Sequence, residues 1–145
     1  PQFAGTFGVR YFIDYWFLGA NLNAFGRNYI DVAPARRMEG IYNTVDPTLP
    51  ETMDTYYAMT TQERIGSACT LDLSVGKIFY LRNRQSINFN LSVNNVLNKR
   101  DIRTGGYEQA RVFASDGALV NPALFPNKYY YMQGINCFAN ISYRF

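Results

Sequence analysis

The chain has 145 residues and a net charge of +3, with twelve tyrosines, eleven phenylalanines, two cysteines and no histidine. Its length suits one ordinary domain, and its basic residues are interleaved with acidic ones, which disfavours nucleic-acid binding because nucleic-acid-binding proteins cluster basic residues on one face. The lack of histidine removes the commonest general base and metal ligand, and no apolar run approaches the roughly 20 residues of a membrane-spanning helix, so we predict no enzyme, no cofactor or metal, and no helical membrane protein.

The first two predicted strands cover about residues 3–13 and 15–25, and their side chains alternate between apolar and small or polar. Such alternation places the two sets on opposite faces of a β-strand. A tight turn around Asp14 is predicted to join the two strands. Because the chain begins within the first strand by this interpretation, we expect it to be a fragment of a longer protein.

Two long connections are predicted, at about residues 26–67 and 98–129. The first is acidic on balance and contains Pro50, which together with Glu51 favours the first turn of a short helix running to about Ala58. The second is basic on balance. The opposite charges of the two loops leave two alternatives. Either the loops contact each other, or their charged side chains are solvated independently.

The remaining predicted strands cover about residues 68–80, 86–97 and 130–145. A short polar turn joins the first two of them. The alternation is unbroken over the last twelve residues and ends with Tyr143 and Phe145 on the apolar face. The chain is therefore predicted to be all-β, with five antiparallel strands.

The two faces of these strands differ in composition. We expect the apolar face of all five predicted strands to hold no charged residue, whereas the other face holds Asn, Ser, Thr and Gly with the occasional Arg10, Asp72 or Arg144. A soluble antiparallel sandwich also alternates, but its solvent face normally carries many Lys and Glu, so the pattern favours a transmembrane β-barrel. Aromatic residues mark one end of the apolar face, as in interfacial girdles: Tyr11, Trp16, Phe79, Tyr143 and Phe145.

The connections and the cysteines agree with this interpretation. Both short turns fall on one side of the sheet and both long loops on the other, as in outer-membrane barrels, whose smallest members have about 8 strands. Five strands therefore need further strands to close a barrel. Cys69 and Cys137 fall on the apolar faces of two strands with a third between them, so they are predicted to lie about 10 Å apart, beyond disulfide reach.

Three segments carry a more specific pattern: LSVNNVLN at residues 91–98, RTGGYEQAR at residues 103–111, and NKYYYMQG at residues 127–134, which leads into the terminal SYRF. Together they resemble the C-terminal end of TonB-dependent outer-membrane receptors, particularly those of the Bacteroidetes type. In that family an Asn-rich strand exit is followed by a long loop. A Y-Y-x-x-G segment then leads into the final strand, which ends in aromatic-x-Phe. The resemblance covers residues 70–145 well and the preceding residues only in pattern.

The resemblance implies that these are the last five strands of an up-and-down transmembrane β-barrel of about 22 strands with an internal plug domain. The plug, the N-terminal strands and the TonB box lie outside this sequence. It also implies the cell outer membrane of a Gram-negative bacterium and import of a scarce nutrient, such as an iron chelate, cobalamin or a glycan. Implied partners are the lipid bilayer, the TonB complex and the barrel-assembly machinery. A surface lipoprotein is a further possible partner, because one accompanies the family's glycan importers. The terminal loop of those importers has no counterpart that we recognise in this sequence, so the substrate class stays open.

Site residues are predicted at both ends of the sheet. Tyr143 and Phe145 have the lipid-facing parity of a periplasmic girdle, and the terminal aromatic strand resembles the signal read by the barrel-assembly machinery. Four residues of the second long loop are candidate ligand contacts at the barrel mouth, or else residues that pin the loop to its neighbours: Arg103, Tyr107, Glu108 and Arg111.

Two further loop features are predicted. Gly105 and Gly106 would permit positive φ and a sharp reversal of the chain. The tyrosine run at residues 129–131 is interpreted as an upper aromatic girdle, with a sugar-stacking platform as the alternative.

The leading functional hypothesis is a receptor that binds its ligand at the extracellular mouth and imports it through the barrel with TonB-derived energy. A non-transporting structural or assembly component of an outer-membrane complex is the second hypothesis. A soluble, carbohydrate-binding β-sandwich is the third, and it predicts a protein that is soluble without detergent. An enzyme is disfavoured because the sequence has no histidine, no nucleophile elbow and no carboxylate pair at a catalytic spacing.

Overall fold

The computed structural model describes residues 1–38, 48–110, 114–115, 118–119 and 125–145. These residues form mostly antiparallel β-sheet with little helix, which confirms the predicted all-β class. The strands are β1 (Phe3–Ile13), β2 (Trp16–Gly26), β3 (Asn28–Tyr29), β4 (Arg64–Ile65), β5 (Ala68–Tyr80), β6 (Ser86–Asn94), β7 (Arg103–Tyr107), β8 (Ala114–Ser115), β9 (Ala118–Leu119), β10 (Lys128–Tyr131) and β11 (Asn136–Arg144). The helical elements are α1 (Pro50–Thr60) and two short 3-10 turns at Pro34–Arg37 and Arg82–Arg84.

Five long strands form one sheet in the order β1-β2-β5-β6-β11, and every neighbouring pair is antiparallel. The sheet is an up-and-down meander, since each long strand pairs with the next long strand along the chain. The side chains of one face line up across the strands, because Leu18 stands opposite both Tyr11 and Val75, and Leu91 opposite both Val75 and Ala139. Alternation in the sequence therefore becomes a sheet with one apolar and one polar face.

The predicted limits of the last two long strands differ from the observed ones. β6 ends at Asn94 instead of residue 97, and β11 begins at Asn136 instead of residue 130. Residues 128–131 belong to β10, which pairs with β7 in a separate two-stranded sheet. Between β10 and β11 the backbone forms no long-strand ladder: Met132 N–H donates to the carbonyl of Ile102 at 2.9 Å, and Ile135 N–H donates to Asn98 Oδ1 at 3.0 Å.

The apolar face is not free of charge, contrary to the prediction. Lys77 has the same parity in β5 as Leu73 and Val75, and it stands opposite Trp16 on β2 and Phe89 on β6. Within the five described long strands it is the only charged residue on this face. Its ammonium group lies over the ring of Trp16, 4.4 Å from the centroid, which places it among the aromatic residues at the turn end of the sheet.

The two short turns form where the sequence predicts them. Asp14 (φ 45°) and Tyr15 (φ 66°) are the two residues between β1 and β2, and positive φ at both positions matches the twist of a two-residue hairpin. The turn between β5 and β6 contains Asn83 (φ 66°) and Arg84 (φ 64°). The tyrosine ring of the first turn packs edge-on against Tyr80, with ring centroids 5.0 Å apart.

The chain divides into two compact units. The five-stranded sheet belongs to unit 1, which comprises Pro1–Arg27, Gly66–Ile102 and Tyr131–Phe145. Unit 2 comprises Asn28–Ile65 and Arg103–Tyr130, the greater part of the two long connections. Ile30 and Ile65 are the largest fully buried side chains among the described residues, and both belong to unit 2.

The helix predicted from Pro50 is confirmed. α1 begins at Pro50, where the missing backbone N–H of proline costs no helical hydrogen bond, and it ends at Thr60, two residues beyond the predicted end.

Candidate functional site

The apolar face of the sheet in unit 1 is exposed. Phe7 of β1 and Ile141 of β11 are 71% and 72% exposed, and Leu73 in the central strand is 41% exposed. Monomeric soluble proteins rarely expose contiguous apolar patches larger than a few hundred Å². A face that spans five strands and leaves side chains of this size uncovered is a surface built to contact an apolar environment or another protein layer.

The same face has a hollow of ≈ 460 Å³ near its centre, lined mainly by apolar side chains. The hollow spans β1, β2, β5 and β6, and its lining includes the small Ala20 beside the larger Leu18 and Leu73. Such a hollow can accommodate an alkyl chain.

The polar face is held together by side-chain hydrogen bonds between strands. Thr6 Oγ1 donates to Asn23 Oδ1 at 2.9 Å, and Asn23 Nδ2 donates to Asp72 Oδ2 at 2.6 Å. Farther along the sheet, Asn94 Nδ2 donates to Asn136 Oδ1 at 3.0 Å. Asn, Ser, Thr and Gly make up much of this face, which also carries several aromatic side chains and few charged ones, whereas the solvent face of a soluble sheet normally carries many long charged side chains.

Glycines on this face leave room for those polar groups. An added methyl group at Gly8, Gly19 or Gly76 would overlap Asn21 Oδ1, Ser74 Oγ or Asn90 Oδ1 of the facing strand, respectively. The abundance of Gly and Asn on the polar face therefore has a packing reason.

The Asn-rich exit of β6 forms a closed hydrogen-bond network in unit 1. Asn95 is 4% exposed and has φ of 51°. Its Nδ2 donates to the carbonyls of Lys99 and Gln133, both at 2.9 Å, and its Oδ1 accepts from Lys99 N–H at 3.1 Å. Its own N–H donates to Asp72 Oδ1 at 2.8 Å.

A second asparagine completes the network. Asn98 Oδ1 accepts from Ile135 N–H at 3.0 Å and from Arg100 Nε at 3.2 Å. A methyl group added to Gly134 would lie 2.6 Å from both Asn98 Oδ1 and Arg100 Nε, so it would displace the two side chains that form this hydrogen bond. The network brings together residues 91–98 and 127–134, two of the three segments on which the family resemblance depends.

The third segment, residues 103–111, contributes β7 to unit 2. Gly105 and Gly106 lie inside this extended strand and not in a chain reversal, so the prediction of positive φ there is wrong. Gly106 serves a close approach instead, because an added methyl group would overlap the carbonyl oxygen of Lys128 and lie 3.2 Å from Ile30 Cγ2.

Glu108 is part of the framework of unit 2 and offers no free carboxylate to a ligand. It is 5% exposed, its Oε2 accepts from Arg37 Nη1 at 2.6 Å and from Ala33 N–H at 2.9 Å, and its Oε1 accepts from Arg37 Nη2 at 2.9 Å. Burial by itself would raise the pKa of Glu108, but these hydrogen bonds and the positive charge of Arg37 hold that pKa below its usual value. The same contact raises the pKa of Arg37.

Arg103 is also engaged within unit 2. Its guanidinium lies over the ring of Tyr129, 4.0 Å from the centroid, and its Nη1 is 3.5 Å from Glu63 Oε1. Glu63 also accepts hydrogen bonds from Tyr129 Oη at 2.8 Å and from Asn127 Nδ2 at 2.7 Å. These contacts and the Arg37–Glu108 pair show that the two long loops touch, which was one of the two alternatives.

Tyr107 is the one aromatic residue among the four candidate ligand contacts, and its side chain is exposed. It is 41% exposed, and its ring packs at a tilt against Tyr130, with centroids 6.0 Å apart. The pair lies in the β7–β10 sheet of unit 2. Arg111 falls outside the described residues.

Tyr143 and Phe145 lie at the turn end of the apolar face. Tyr143 stands opposite Ile87, which in turn stands opposite Phe79, and the rings of Tyr143 and Phe145 are tilted with centroids 6.3 Å apart. Their role in barrel assembly stays a prediction. Cys69 and Cys137 lie on strands separated by β6, as predicted, and both are free.

Sequence reasoning missed Lys77, Arg37, Glu63 and the hydrogen bonding of Asn95. Lys77 could have been found by counting residues along β5, since it has the parity of the apolar face. The contacts of Arg37 and Glu63 join residues from different long loops, so no local sequence pattern predicts them.

Matching of the chain against protein-family models, curated proteins and solved structures finds no similar protein. None of the described helices is long and apolar enough to cross a membrane. In the described ranges, no three His, Cys, Asp or Glu side chains are grouped so that they could hold a metal ion.

Proposed function

We propose that the sheet of unit 1 is part of the wall of a transmembrane β-barrel in a bacterial outer membrane, and that the protein is a TonB-dependent receptor that imports its ligand through this barrel. One observation carries the proposal: an exposed apolar face that continues across five antiparallel strands, with Lys77 as the only charged residue on it in the described strands, backed by a face rich in Asn, Ser, Thr and Gly. Alternation of lipid-facing and lumen-facing side chains is the defining pattern of such barrels.

The connections support the proposal. β1–β2 and β5–β6 are joined by two-residue and five-residue turns at one end of the sheet. The connections from β2 to β5 and from β6 to β11 leave from the other end and contain the residues of unit 2. Outer-membrane barrels have short periplasmic turns and longer extracellular loops.

The stagger of the strands also supports it. Trp16, the first residue of β2, stands opposite Lys77, which is three residues before the end of β5 at Tyr80. The β5–β6 hairpin is therefore displaced toward the turn end relative to the β1–β2 hairpin. Closing a sheet into a barrel requires a stagger of this kind, because the strands tilt relative to the barrel axis.

Two edges of the sheet remain open for closure. Among the described residues, β1 pairs only with β2, and β11 pairs only with β6. The smallest outer-membrane barrels have about 8 strands and receptors with a plugged lumen about 22, so further strands would pair with both edges.

The receptor part of the proposal rests on the loops and on the resemblance of the three segments. Unit 2 ties the two long connections into a folded body through the Arg37–Glu108 and Arg103–Glu63 pairs. A folded loop body provides a defined surface for a ligand, and the exposed Tyr107 and Tyr130 are the side chains that we assign to it. Energy coupling through the TonB complex would involve parts of the protein outside this sequence.

The experiment that tests this function is extraction and sizing of the native polypeptide. We expect the protein to stay in the membrane fraction after alkaline washing, to need detergent for release, and to have a mass several times the 16.6 kDa of this chain, because a receptor needs a whole barrel and a plug. Membrane retention at 16.6 kDa would contradict the receptor and favour a structural component of an outer-membrane complex. Release without detergent would contradict the barrel and favour a soluble sandwich.

A further inference from the structure

Lys77 occupies an unusual environment. It is the one charged residue on the apolar face of the described long strands, and its Nζ lies 4.4 Å from the ring centroid of Trp16 and 5.2 Å from that of Phe79. Both distances fall within the range of cation–π contacts, about 6 Å. The ammonium group is thus held between two rings on a surface that is otherwise apolar.

The positive charge of Lys77 has no acidic partner in the described part of the chain, where the ion pairs join Arg37 to Glu108 and Arg103 to Glu63. Aromatic rings attract a cation but do not neutralise it. An ammonium group at an apolar surface is costly unless an anion or water completes its surroundings. The geometry therefore leaves a place for an external anion.

The turns at this end of the sheet carry more positive than negative charge. Arg82 and Arg84 lie in the turn that follows β5, whereas the turn between β1 and β2 contributes the single acid Asp14. This end of the sheet is basic on balance. An anion approaching Lys77 is favoured by its neighbourhood as well as by the lysine itself.

The apolar surroundings indicate that the anion is attached to an alkyl chain. Val75, two residues from Lys77 in β5, lines the hollow around Ala20, so the hollow begins about 7 Å from the lysine. A free phosphate ion would contact Lys77 but leave the hollow empty. A phospholipid can place its phosphate at the ammonium group and an acyl chain in the hollow.

We infer that Lys77, flanked by Trp16 and Phe79, binds the phosphate of an anionic phospholipid whose acyl chain lies in the hollow around Ala20. The inference rests on the proposed membrane location and adds a specific lipid contact to it. Zwitterionic lipids bind more weakly at this site, because their own cation competes with Lys77 for the phosphate.

The single tryptophan of the chain provides the test, since Trp16 lies directly beside the proposed phosphate site. The intact native protein is reconstituted in vesicles of phosphatidylcholine containing phosphatidylglycerol, either lipid is brominated in its acyl chains, and the signal of Trp16 is taken as the difference between each protein and its Trp16→Phe counterpart. Bromine quenches tryptophan at short range, so the ratio of the two quenching efficiencies reports which lipid occupies the site. Lys77→Gln removes the charge, Lys77→Arg keeps it, and Lys128→Gln removes an exposed cation of unit 2 as the matched control.

We expect brominated phosphatidylglycerol to be preferred about fivefold at Trp16 in the wild type, in Lys77→Arg and in Lys128→Gln, and the preference to fall to about one in Lys77→Gln. Equal quenching by both lipids in the wild type would overturn the inference and leave the membrane location intact. Loss of the preference on addition of inorganic phosphate would also overturn it, because the site would then take the free ion. Absence of quenching by either lipid would contradict the proposed function, and the inference with it.

Discussion

Leu73→Arg is the substitution that best separates a lipid-facing surface from any other apolar surface. Leu73 lies on the apolar face of the central strand β5, opposite Ala20 on one side and Val93 on the other. Its neighbour Ser74 has the same depth along the strand but lies on the polar face. Ser74→Arg is therefore a matched control for charge and size.

The depth of Leu73 follows from its separation from the aromatic end of the sheet. It is four residues from Lys77, about 13 Å along the strand at 3.3 Å per residue. With a strand tilt of about 40°, that length corresponds to a depth of about 10 Å. The apolar band of an outer-membrane barrel is about 25 Å tall, so the proposed barrel wall would place Leu73 close to the bilayer midplane, where arginine costs about 2–4 kcal/mol.

The assay is equilibrium unfolding of the intact native protein by guanidinium in lipid vesicles, followed by tryptophan fluorescence. We expect Leu73→Arg to lower the free energy of unfolding by about 2–4 kcal/mol and Phe79→Arg, near the interface, by about 1 kcal/mol or less. Ser74→Arg, on the polar face, should also cost about 1 kcal/mol or less, as surface substitutions usually do. Equal losses for Leu73→Arg and Ser74→Arg would refute the assignment of the faces, and equal losses for Leu73→Arg and Phe79→Arg would refute the depth.

Three further predictions concern the loop exits and unit 2. Asn95→Ala should lower the free energy of unfolding by about 2–4 kcal/mol, because three side-chain hydrogen bonds are lost and alanine tolerates φ of 51° poorly. Denaturant unfolding measures this change, and a loss below about 0.5 kcal/mol would contradict the network. Gly106→Ala should increase hydrogen exchange in β7 and β10, whereas Gly105→Ala, whose added methyl group meets only one ring carbon at 3.5 Å, should not, and equal effects would contradict the close approach. The pKa of Glu108 is lower in the folded chain than in the unfolded chain, so its contribution to stability is present above the unfolded pKa of about 4.3 and is lost as pH falls through the folded value. Acid should therefore lower the protection factors of the amides around Arg37 in the wild type, with each exchange rate compared with the intrinsic rate at the same pH, and Glu108→Gln should reduce this pH dependence. A pH profile of protection that Glu108→Gln leaves unchanged would contradict the ion pair.

Alternation alone was enough to predict the sheet. Each long strand has a face that must meet an apolar environment, so period-two patterning determines both the strands and their faces, and the antiparallel order follows from the connections. Lys77 shows how this reasoning fails: the prediction compared only part of β5, and the structure shows that a lysine is accommodated there by aromatic rings.

The loops were less predictable because their structure depends on distant contacts. The partners Arg37 and Glu108 are 71 residues apart in the sequence, and no spacing rule relates them. Gly105 and Gly106 suggested a turn, but tertiary packing against β10 keeps them extended. The sequence pattern predicts that the last long strand starts near residue 130. In the structure, the side chains of Asn95 and Asn98 form hydrogen bonds with the backbone that follows residues 128–131, and the long strand begins after them.

The central claim is that the apolar face of the sheet contacts lipid and the other face contacts water. A spin-label scan of β11 in bilayers tests it most directly. Single cysteines are placed one at a time from residue 137 to residue 144 in a background in which the native Cys69 and Cys137 are replaced. We expect oxygen accessibility to peak at Cys137, Ala139, Ile141 and Tyr143, and accessibility to a water-soluble nickel complex to peak at the residues between them. In-phase profiles, or a strand equally accessible to both reagents at every position, would contradict the barrel wall and favour a soluble sheet.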